Sequence, residues 1–501
     1  MGVSTWILLL LAHPLEFRTL VQYKIYHEHK RDISAKSEHA TSGWDRPTMR
    51  RCWEFLDMTS RSFSTVIKQL DGDLARTICL FYLVLRGLDT IEDDMTISQS
   101  VKQPILRQFH KFVLTRGWTF TESGPNEKDR QLLVEFSVVV DELYNLPEAD
   151  RDVIVRICSK MEVGMADYVA RAAGKETARL DSIAEYDLYC HYVAGLVGEG
   201  LSALFSASGK ERADLAGQLV ISNSFGLLLQ KTNITRDYRE DVDDKRYFWP
   251  REIYAEPRYG GSFSCQEEMI APPEGTKWDP DVKQRALWVQ SAMVVDALRH
   301  TTDVLDYLRM LKNQSVFNFC AIPATMAMAT LELCFMNPRM FLTNIKIRKA
   351  SAASLIMRSK NPREVSIIFR EYARKMHARA VPADPNFIRL SVACGKIEQW
   401  CEHYYPSFVT ITDSVSGGVT QSISAADVRG RTFLAAEKAD AELAQKARVE
   451  AIRARANANG GAVHPSQEIS MRELSMYVGG ALLAVSLIIA FVVLLIVRWS
   501  D

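Results

Sequence analysis

Apolar residues recur at spacings of three and four along most of residues 44–405, and alternating runs are few. This period is typical of amphipathic helices. The clearest examples are "DLARTICLFYLVLRGLDTIEDD" and "ISNSFGLLLQKTNITRDYREDVDD". Loop signals fall at "SGPNEK" and in the Pro- and Gly-rich residues 256–280. The pattern therefore predicts an all-α fold.

The two ends of the chain carry apolar runs of different length. Residues 477–497 contain no charge, and 21 residues of helix span about 30 Å, the thickness of the bilayer hydrocarbon. With Arg472 and Arg498 on its flanks, this run predicts a C-terminal membrane anchor with the bulk of the protein in the cytosol. Residues 6–12, "WILLLLA", lack the basic region of a signal peptide and precede Pro14, so a signal peptide is not predicted. A membrane contact there is left open.

Changes in composition predict four segments. An N-terminal segment covers residues 1–43, and the helical catalytic domain covers residues 44–413. Residues 414–470 contain "SVSGGVTQSIS" and an Ala- and charge-rich helix, and are predicted to be a linker. The membrane anchor takes residues 471–501.

Composition and charge exclude several functions. Hydrophobic residues make up 47% of the chain, which is ordinary for a globular protein. Lys+Arg and Asp+Glu balance at 61 each, and no basic stripe or finger spacing indicates a nucleic-acid partner. The nine cysteines include no CxxC pair, so we expect reduced thiols facing the cytosol and no zinc site.

Two pairs of aspartates, each four residues apart, are the main chemical signal. They are Asp89 with Asp93 and Asp237 with Asp241. On a helix such residues lie about 6 Å apart on one face, where like charges repel. One pair would be explained by a solvated helix end. Two pairs, each continuing an apolar helix, favour facing walls of a cavity.

Polar groups precede each aspartate pair on the same face of its helix. Buried without partners they would cost several kcal/mol each, so they require a ligand, an ion or each other. Carboxylates suit Mg²⁺, which binds one or two of them together with substrate phosphate and water, and arginines bind phosphate directly. The first stripe is Tyr82, Arg86, Asp89 and Asp93, and the second is Gly226, Gln230, Asn233, Asp237 and Asp241. The candidate phosphate-binding side chains are Arg61, Arg86 and Arg236, with Lys245 and Arg246 behind them.

A metal that neutralises a diphosphate leaving group would allow an allylic C–O bond to ionise. The resulting cation needs a dry pocket with aromatic faces. Tyr189 in "YCHYVAGLVG", and Phe317 and Phe319 in "NQSVFNFCAIP", are the candidate side chains. Ordinary core packing is the alternative for all three.

Five stretches in this order resemble the squalene synthase (farnesyl-diphosphate farnesyltransferase) family: "SRSF", "LRGLDTIEDDMT", "YCHYVAGLVG", "LLLQKTNITRDYRED" and "NQSVFNFCAIP". The resemblance implies an all-α isoprenoid-synthase fold around one central cavity. It implies that two farnesyl diphosphates condense head-to-head to presqualene diphosphate, which is then reduced with NADPH to squalene, the committed step toward sterols. It also implies a protein of the endoplasmic reticulum membrane with a cytosolic catalytic domain, and we expect a monomer.

The resemblance also implies roles for individual residues. Tyr189 would assist the first half-reaction as a cation stabiliser, a proton acceptor or both, and Phe317 would shield the second cation. Glu92 and Glu240 are expected off the shared aspartate face. The metal ligands would be Asp89, Asp93, Asp237 and Asp241, and the substrate-binding residues would be Ser60, Arg61, Phe63, Tyr82, Arg86, Gln230, Asn233 and Arg236.

The NADPH site is implied by the family alone. No GxGxxG follows a strand, and Gly195, Gly198 and Gly200 are expected to permit close helix packing. The basic stretch "NIKIRKA", with Lys346, Arg348 and Lys349, matches the region that the family uses for the cofactor phosphates; a solvated helix face is the alternative.

Three other functions remain as alternatives. A non-reducing synthase of the phytoene or dehydrosqualene type shares the aspartate motifs, but "NQSVFNFCAIP", the basic stretch and the anchor favour the reducing enzyme. A terpene cyclase would carry an Asn/Ser/Glu motif in place of the second aspartate pair. A catalytically inactive membrane scaffold is disfavoured because every candidate residue is present.

Overall fold

The computed structural model describes residues 3–27, 31–172, 179–273 and 275–407, and beyond them residue 435 and residues 438–439 and 441–450. The chain divides into two units, Met1–Ser407 and Phe408–Asp501. In the second unit, residues 441–450 are helical and exposed, within the stretch predicted as a charged helix. The predicted anchor, residues 477–497, lies outside the described residues. The segment boundaries at residues 43, 413 and 470 stay predictions.

The described part of the first unit contains α-helices and short turns but no strand, and Arg179 and Tyr247 form an isolated bridge. The predicted all-α fold is confirmed. The first helices are α1 (Val3–Ala12), α2 (Pro14–Gln22), α3 (His39–Ser42), α4 (Pro47–Thr59), α5 (Arg61–Ile67), α6 (Leu74–Asp93), α7 (Gln99–Leu106), α8 (Phe109–Phe112), α9 (Arg130–Val134), α10 (Ser137–Leu143) and α11 (Glu148–Ala172). The remaining helices are α12 (Ile183–Cys190), α13 (Leu196–Ala207), α14 (Leu219–Arg236), α15 (Tyr238–Asp243), α16 (Arg251–Tyr254), α17 (Pro280–Leu298), α18 (Thr301–Met310), α19 (Gln314–Cys334), α20 (Lys349–Arg358), α21 (Pro362–Arg379) and α22 (Phe387–Tyr404).

Shorter helical turns connect these elements. Two of them, Tyr23–His27 and His191–Gly195, are π-helical turns, and the second joins α12 to α13. The 3₁₀ turns are Lys36–Glu38, Ala213–Gly217, Pro257–Tyr259, Gln266–Met269 and Pro338–Phe341.

Helix α14 lies at the centre of the first unit. It packs against α13, α17, α18, α19 and the π-helical turn His191–Gly195. Its buried side chains include Phe225, Leu228 and Thr232, which follow one another at spacings of three and four. Packing on several sides fixes the position of α14. The polar side chains on this helix are therefore held in fixed positions as well.

Glycines let α14 approach the α12–α13 region closely. A Cβ atom at Gly198 would lie 2.2 Å from the carbonyl oxygen of Ser222, and one at Gly226 would lie 2.3 Å from the carbonyl oxygen of Ala194. Any larger residue would force the two backbones apart. The expected packing role of Gly198 is therefore confirmed.

The loop predicted over residues 256–280 is packed into the protein. Tyr259, Phe263 and Met269 are buried in a second hydrophobic cluster that also contains Trp249 and Phe341. Burial of large apolar side chains stabilises a segment that lacks regular hydrogen bonding. The Pro and Gly residues correctly predicted an irregular backbone here. They gave no indication that these three side chains would be buried.

One helix in the described residues, α19, is long and apolar enough to span a membrane. Within it, 67% of the most apolar window is buried inside the protein. Its packing against α14 and α21 identifies it as a core helix of this unit.

Candidate active site

The helices of the first unit surround a cavity of about 520 Å³. Apolar side chains from six helices line most of its surface, among them Phe81, Leu201, Phe225 and Phe319. Charged side chains from α6, α14 and α15 line the remainder. The volume lies in the range of small-molecule binding sites, and the combination suits a long apolar ligand with an anionic end.

Helix α6 supplies the first charged wall. Its lining residues change along the helix from Ile78 and Phe81 to Asp89 and Asp93, a rise of about 20 Å at 1.5 Å per residue. Glu92 also lines the cavity, whereas we expected it off the aspartate face. A residue three positions after Asp89 lies only about 60° around the helix from it, so one turn presents all three carboxylates.

Helices α14 and α15 supply the second charged wall. Gln230, Asn233, Asp237 and Asp241 line the cavity, as predicted from their spacing. Asp241 is 8% exposed. Glu240 is exposed, accepts a hydrogen bond from the Asn344 amide at 2.7 Å and does not line the cavity, as expected.

Arg246 joins the two walls. Its guanidinium lies 3.0 Å from an Asp241 oxygen and 3.9 Å from an Asp93 oxygen, so the two predicted aspartate pairs do face each other. The chain reaches this position because Lys245, just after α15, has a φ of 59°, a left-handed conformation that reverses direction after a helix. The sequence predicts Arg246 behind the other arginines, whereas the structure places it between the aspartate pairs.

Burial, together with repulsion between neighbouring carboxylates, raises the pKa values of several acidic side chains in the walls. Burial, with repulsion from Asp93, raises the pKa of Asp89 to about 7. Burial also raises the pKa of Asp241 to about 7, against the opposing effect of Arg246. Burial and the neighbouring carboxylates raise the pKa of Glu92 as well. A cation bound between the walls would relieve this repulsion.

Each predicted phosphate-binding arginine whose side chain is described contacts an aspartate of the same wall. Arg86 lies 2.6 Å from Asp89, and Arg236 binds both oxygens of Asp237 at 2.5 and 2.7 Å. Asn344 donates a further hydrogen bond to Asp237 at 2.9 Å. These contacts hold the carboxylates in place, and the oxygens of a carboxylate retain lone pairs for further ligands.

Tyr189 belongs to an aromatic wall at the charged part of the cavity. Its ring stacks on Phe248 with centroids 5.1 Å apart and lies 4.7 Å from the ring of Tyr168. Burial and the nearby Glu92 carboxylate raise the pKa of Tyr189 well above its usual value. The phenol is therefore neutral, and the ring faces are the electron-rich surface presented to the cavity. Sequence spacing gave no signal for Phe248 or Tyr168.

Three predicted residues have other positions or remain undescribed. Ser60 caps α5 by accepting a hydrogen bond from the Phe63 amide at 3.2 Å, while Phe63 and Tyr82 line the cavity. The side chain of Arg61 lies outside the described part of the structure. Phe317 is 4% exposed in the core and Phe319 takes the lining position on α19, so the shielding role of Phe317 stays a prediction.

The basic segment predicted for the cofactor lies away from the cavity lining. Lys346, Arg348 and Lys349 are exposed. Arg348 is engaged by Glu16 of α2 at 2.8 Å. The structure therefore does not bring these three side chains together with the aspartate walls.

Lys231 lies next to the predicted motif residues and carried no signal in the sequence. It is fully buried on the side of α14 opposite the cavity, with its ammonium 2.5 Å from Asp187 and in contact with Asp296. Arg299 binds both of these aspartates. The cluster ties α14 to α12, which carries Tyr189, and to α17.

The donor set fits a magnesium ion. Within the described ranges, no group of three or more His, Cys, Asp or Glu side chains is close enough to hold a metal unaided. Mg²⁺ is usually held by one or two carboxylates together with substrate phosphate and water, and two opposed pairs of carboxylates match that mode. The ligands would be Asp89 and Asp93 on one wall and Asp237 and Asp241 on the other.

Comparison with known proteins gives consistent matches over most of the chain. Residues 56–351 match the model of the squalene/phytoene synthase family. The chain is 60% identical over 453 residues to the squalene synthase of Ganoderma lucidum, covering 90% of this chain and 96% of that protein. It is 53% identical over 415 residues to the squalene synthase of Mycosarcoma maydis, covering 82% of this chain and 72% of that protein.

A solved structure has the same fold. The complex of TcSQS with the ligand E5700 matches with a TM-score of 0.65 at 37% identity, over 71% of this chain and 99% of that one.

Proposed function

The chain belongs to the squalene/phytoene synthase family, and on that premise we propose that it condenses two farnesyl diphosphates head-to-head and reduces the product to squalene. The observation that carries the proposal is the cavity, whose apolar length ends between two opposed aspartate pairs. Relatives at 60% and 53% identity are squalene synthases, which favours this product over that of a non-reducing synthase.

In the proposed reaction the walls bind the diphosphates and the apolar lining takes the prenyl chains. Bound Mg²⁺ would neutralise the diphosphate and so favour its departure. Arg86, Arg236 and Arg246 would contact the phosphate oxygens from positions that their aspartate partners already fix. Phe81, Phe225 and Phe319 would exclude water from the carbocations.

Tyr189 would act in the first half-reaction, which gives presqualene diphosphate. Its stacked position against Phe248 presents a ring to the cavity beside the charged walls. The raised pKa opposes a phenolate base and favours stabilisation of a cation by the ring.

We expect Tyr189→Phe to retain most of the first-step rate, since the ring and its stacking are kept. Tyr189→Leu should lower that rate by about 10-fold, because a cation over an aromatic face gains about 1–2 kcal/mol. The measurement is single-turnover formation of presqualene diphosphate. An equal, large loss in both variants would mean that the hydroxyl moves a proton and would contradict the ring-only role.

NADPH would supply the hydride for the second half-reaction. The exposed basic side chains Lys346 and Lys349 suit the cofactor phosphates, and Arg348 would add positive charge beside them while it stays paired with Glu16. No nucleotide-binding motif supports this position, so the proposal rests on the family resemblance and on charge.

A product assay tests the whole proposal. Protein truncated before Met471 is supplied with farnesyl diphosphate and Mg²⁺, with and without NADPH. We expect squalene only with NADPH and presqualene diphosphate without it. A product that NADPH does not change would move the protein to the non-reducing synthases, and no product under any condition would revive the scaffold alternative.

Ligand binding gives a second test. Mg²⁺ with a non-hydrolysable diphosphate analogue should raise the Tm, since a ligand at 100 times its Kd stabilises the folded state by about 2.7 kcal/mol. The shift should require both components and should shrink in Asp237→Asn. An equal shift in that variant would place the ions elsewhere.

We also propose that the protein is a monomer held on the endoplasmic reticulum by residues 477–497, with the first unit in the cytosol. The length and uncharged composition of that run support the anchor.

A further inference from the structure

The N-terminal apolar run forms a helical hairpin with an exposed leucine face. Helices α1 and α2 pack against each other, and the Trp6 and Phe17 rings meet edge to face at 5.5 Å. Leu8, Leu11 and Leu15 are nevertheless 66%, 77% and 75% exposed. Leu8 and Leu11 lie three positions apart on one face of α1, and Leu15 lies at the start of α2, just after the break at His13. Isolated exposed leucines are common, but three leucines this exposed within eight residues indicate a binding surface.

The hairpin is fixed to the catalytic unit at its other side. Helix α2 and the turn Tyr23–His27 pack against α20, and Glu16 pairs with Arg348 at 2.8 Å. Glu16 is the single acidic residue within residues 3–27, and this ion pair neutralises it. The exposed charged groups left on the hairpin are Arg18 and Lys24, which are basic.

This combination matches a lipid surface. Interfacial helices bury leucines at the boundary of the acyl chains and keep basic residues among anionic headgroups. Helix α1 has 10 residues and is about 15 Å long, half of what a span requires, so it would lie in the interface. An acidic protein partner would explain the basic residues but would leave the exposed leucines unexplained.

The proposed C-terminal anchor would bring a bilayer close to this surface. About 70 residues separate the end of the first unit at Ser407 from the apolar run 477–497. Even fully extended, a chain of that length spans no more than about 250 Å, so the anchor would keep the catalytic unit near the membrane that holds it.

We propose that the α1–α2 hairpin is a second membrane contact, which inserts Leu8, Leu11 and Leu15 into the lipid interface. The proposal rests on the proposed C-terminal anchor for its supply of membrane. Because α2 is joined to α20 by packing and by the Glu16–Arg348 pair, the contact would turn the α20 side of the catalytic unit toward the bilayer. The unit would then hold one orientation on the membrane.

Site-directed labelling of the full chain tests the contact. Eight of the nine native cysteines are buried and Cys265 is half-buried, so Cys265→Ser gives a background for single labels. A nitroxide is attached at Leu11→Cys in protein reconstituted in phosphatidylcholine–phosphatidylserine vesicles. Ile388→Cys on α22, 69% exposed, is the matched control, and Ser486→Cys reports on the anchor.

We expect the label at position 11 to be accessible to oxygen and shielded from a water-soluble nickel chelate, with the reverse at position 388. Access of the nickel chelate to the label at position 11 would overturn the proposal. Shielding of this label from both oxygen and the chelate would also overturn it, because it would mean that a protein covers the leucines, such as the C-terminal run or a second copy of the chain. A water-like label at position 486 would refute the anchor alone, and flotation of that protein with vesicles would then still support the hairpin contact.

Discussion

Asp89→Asn and Asp237→Asn are each expected to lower turnover by about 10²-fold or more while the fold is kept. Each removes one charge from a wall that would hold Mg²⁺ and diphosphate, and a preorganised charged contact made in the transition state is worth at least that factor. Asparagine retains the size and the hydrogen bonding of the side chain, so Arg86 and Arg236 keep a neighbour. The measurement is kcat with farnesyl diphosphate, together with Tm for each variant.

Asp243→Asn is the matched control. Asp243 lies on α15 close to Asp241, but it is exposed, outside the cavity lining and paired with Arg239 at 2.7 Å. Its loss should leave kcat unchanged. Near-normal kcat in Asp89→Asn or Asp237→Asn would refute the assignment of that aspartate as a Mg²⁺ ligand. If Asp243→Asn lowered kcat as much as the other two variants, the losses would reflect a general effect of charge.

Lys231→Met is expected to lower the free energy of unfolding by about 3 kcal/mol. The substitution leaves two aspartates with one cation, Arg299, and a buried charge that loses its partner is costly. Loss of one partner of a buried ion pair costs about 3–5 kcal/mol, and we expect the lower value because Arg299 still neutralises one of the two aspartates. Chemical denaturation of the first unit measures it, with m compared to confirm a two-state change.

Lys160→Met provides the comparison for a surface ion pair. Lys160 binds Glu199 at 2.6 Å with its side chain 46% exposed, so its loss should change the stability by no more than about 0.5 kcal/mol. Adding Asp296→Asn to Lys231→Met should recover part of the loss, since it removes the surplus charge. If Lys231→Met lowers the free energy of unfolding as little as Lys160→Met does, water or local motion must stabilise the aspartates after the lysine is lost.

Local spacing in the sequence was sufficient for the helices and for much of the charged wall. The three-and-four period of α6 and α14 is a property of neighbours along one helix, so the faces containing Tyr82, Arg86 and Asp89 followed directly. The same rule explains why the face containing Gln230, Asn233 and Asp237 lines the cavity. Expecting Glu92 off the face was wrong because the wall is wider than the strict aspartate stripe.

The tertiary structure alone decided which groups from different helices meet. Arg246 lies between Asp93 and Asp241, and Phe248 stacks on Tyr189, although more than 50 residues separate the second pair in sequence. No local period encodes such contacts, because they depend on how α14 packs against its neighbours. Thus the sequence by itself determined the helices and the chemistry on each face. Packing across the core determined that Phe319 instead of Phe317 lines the cavity and that Lys231 is buried.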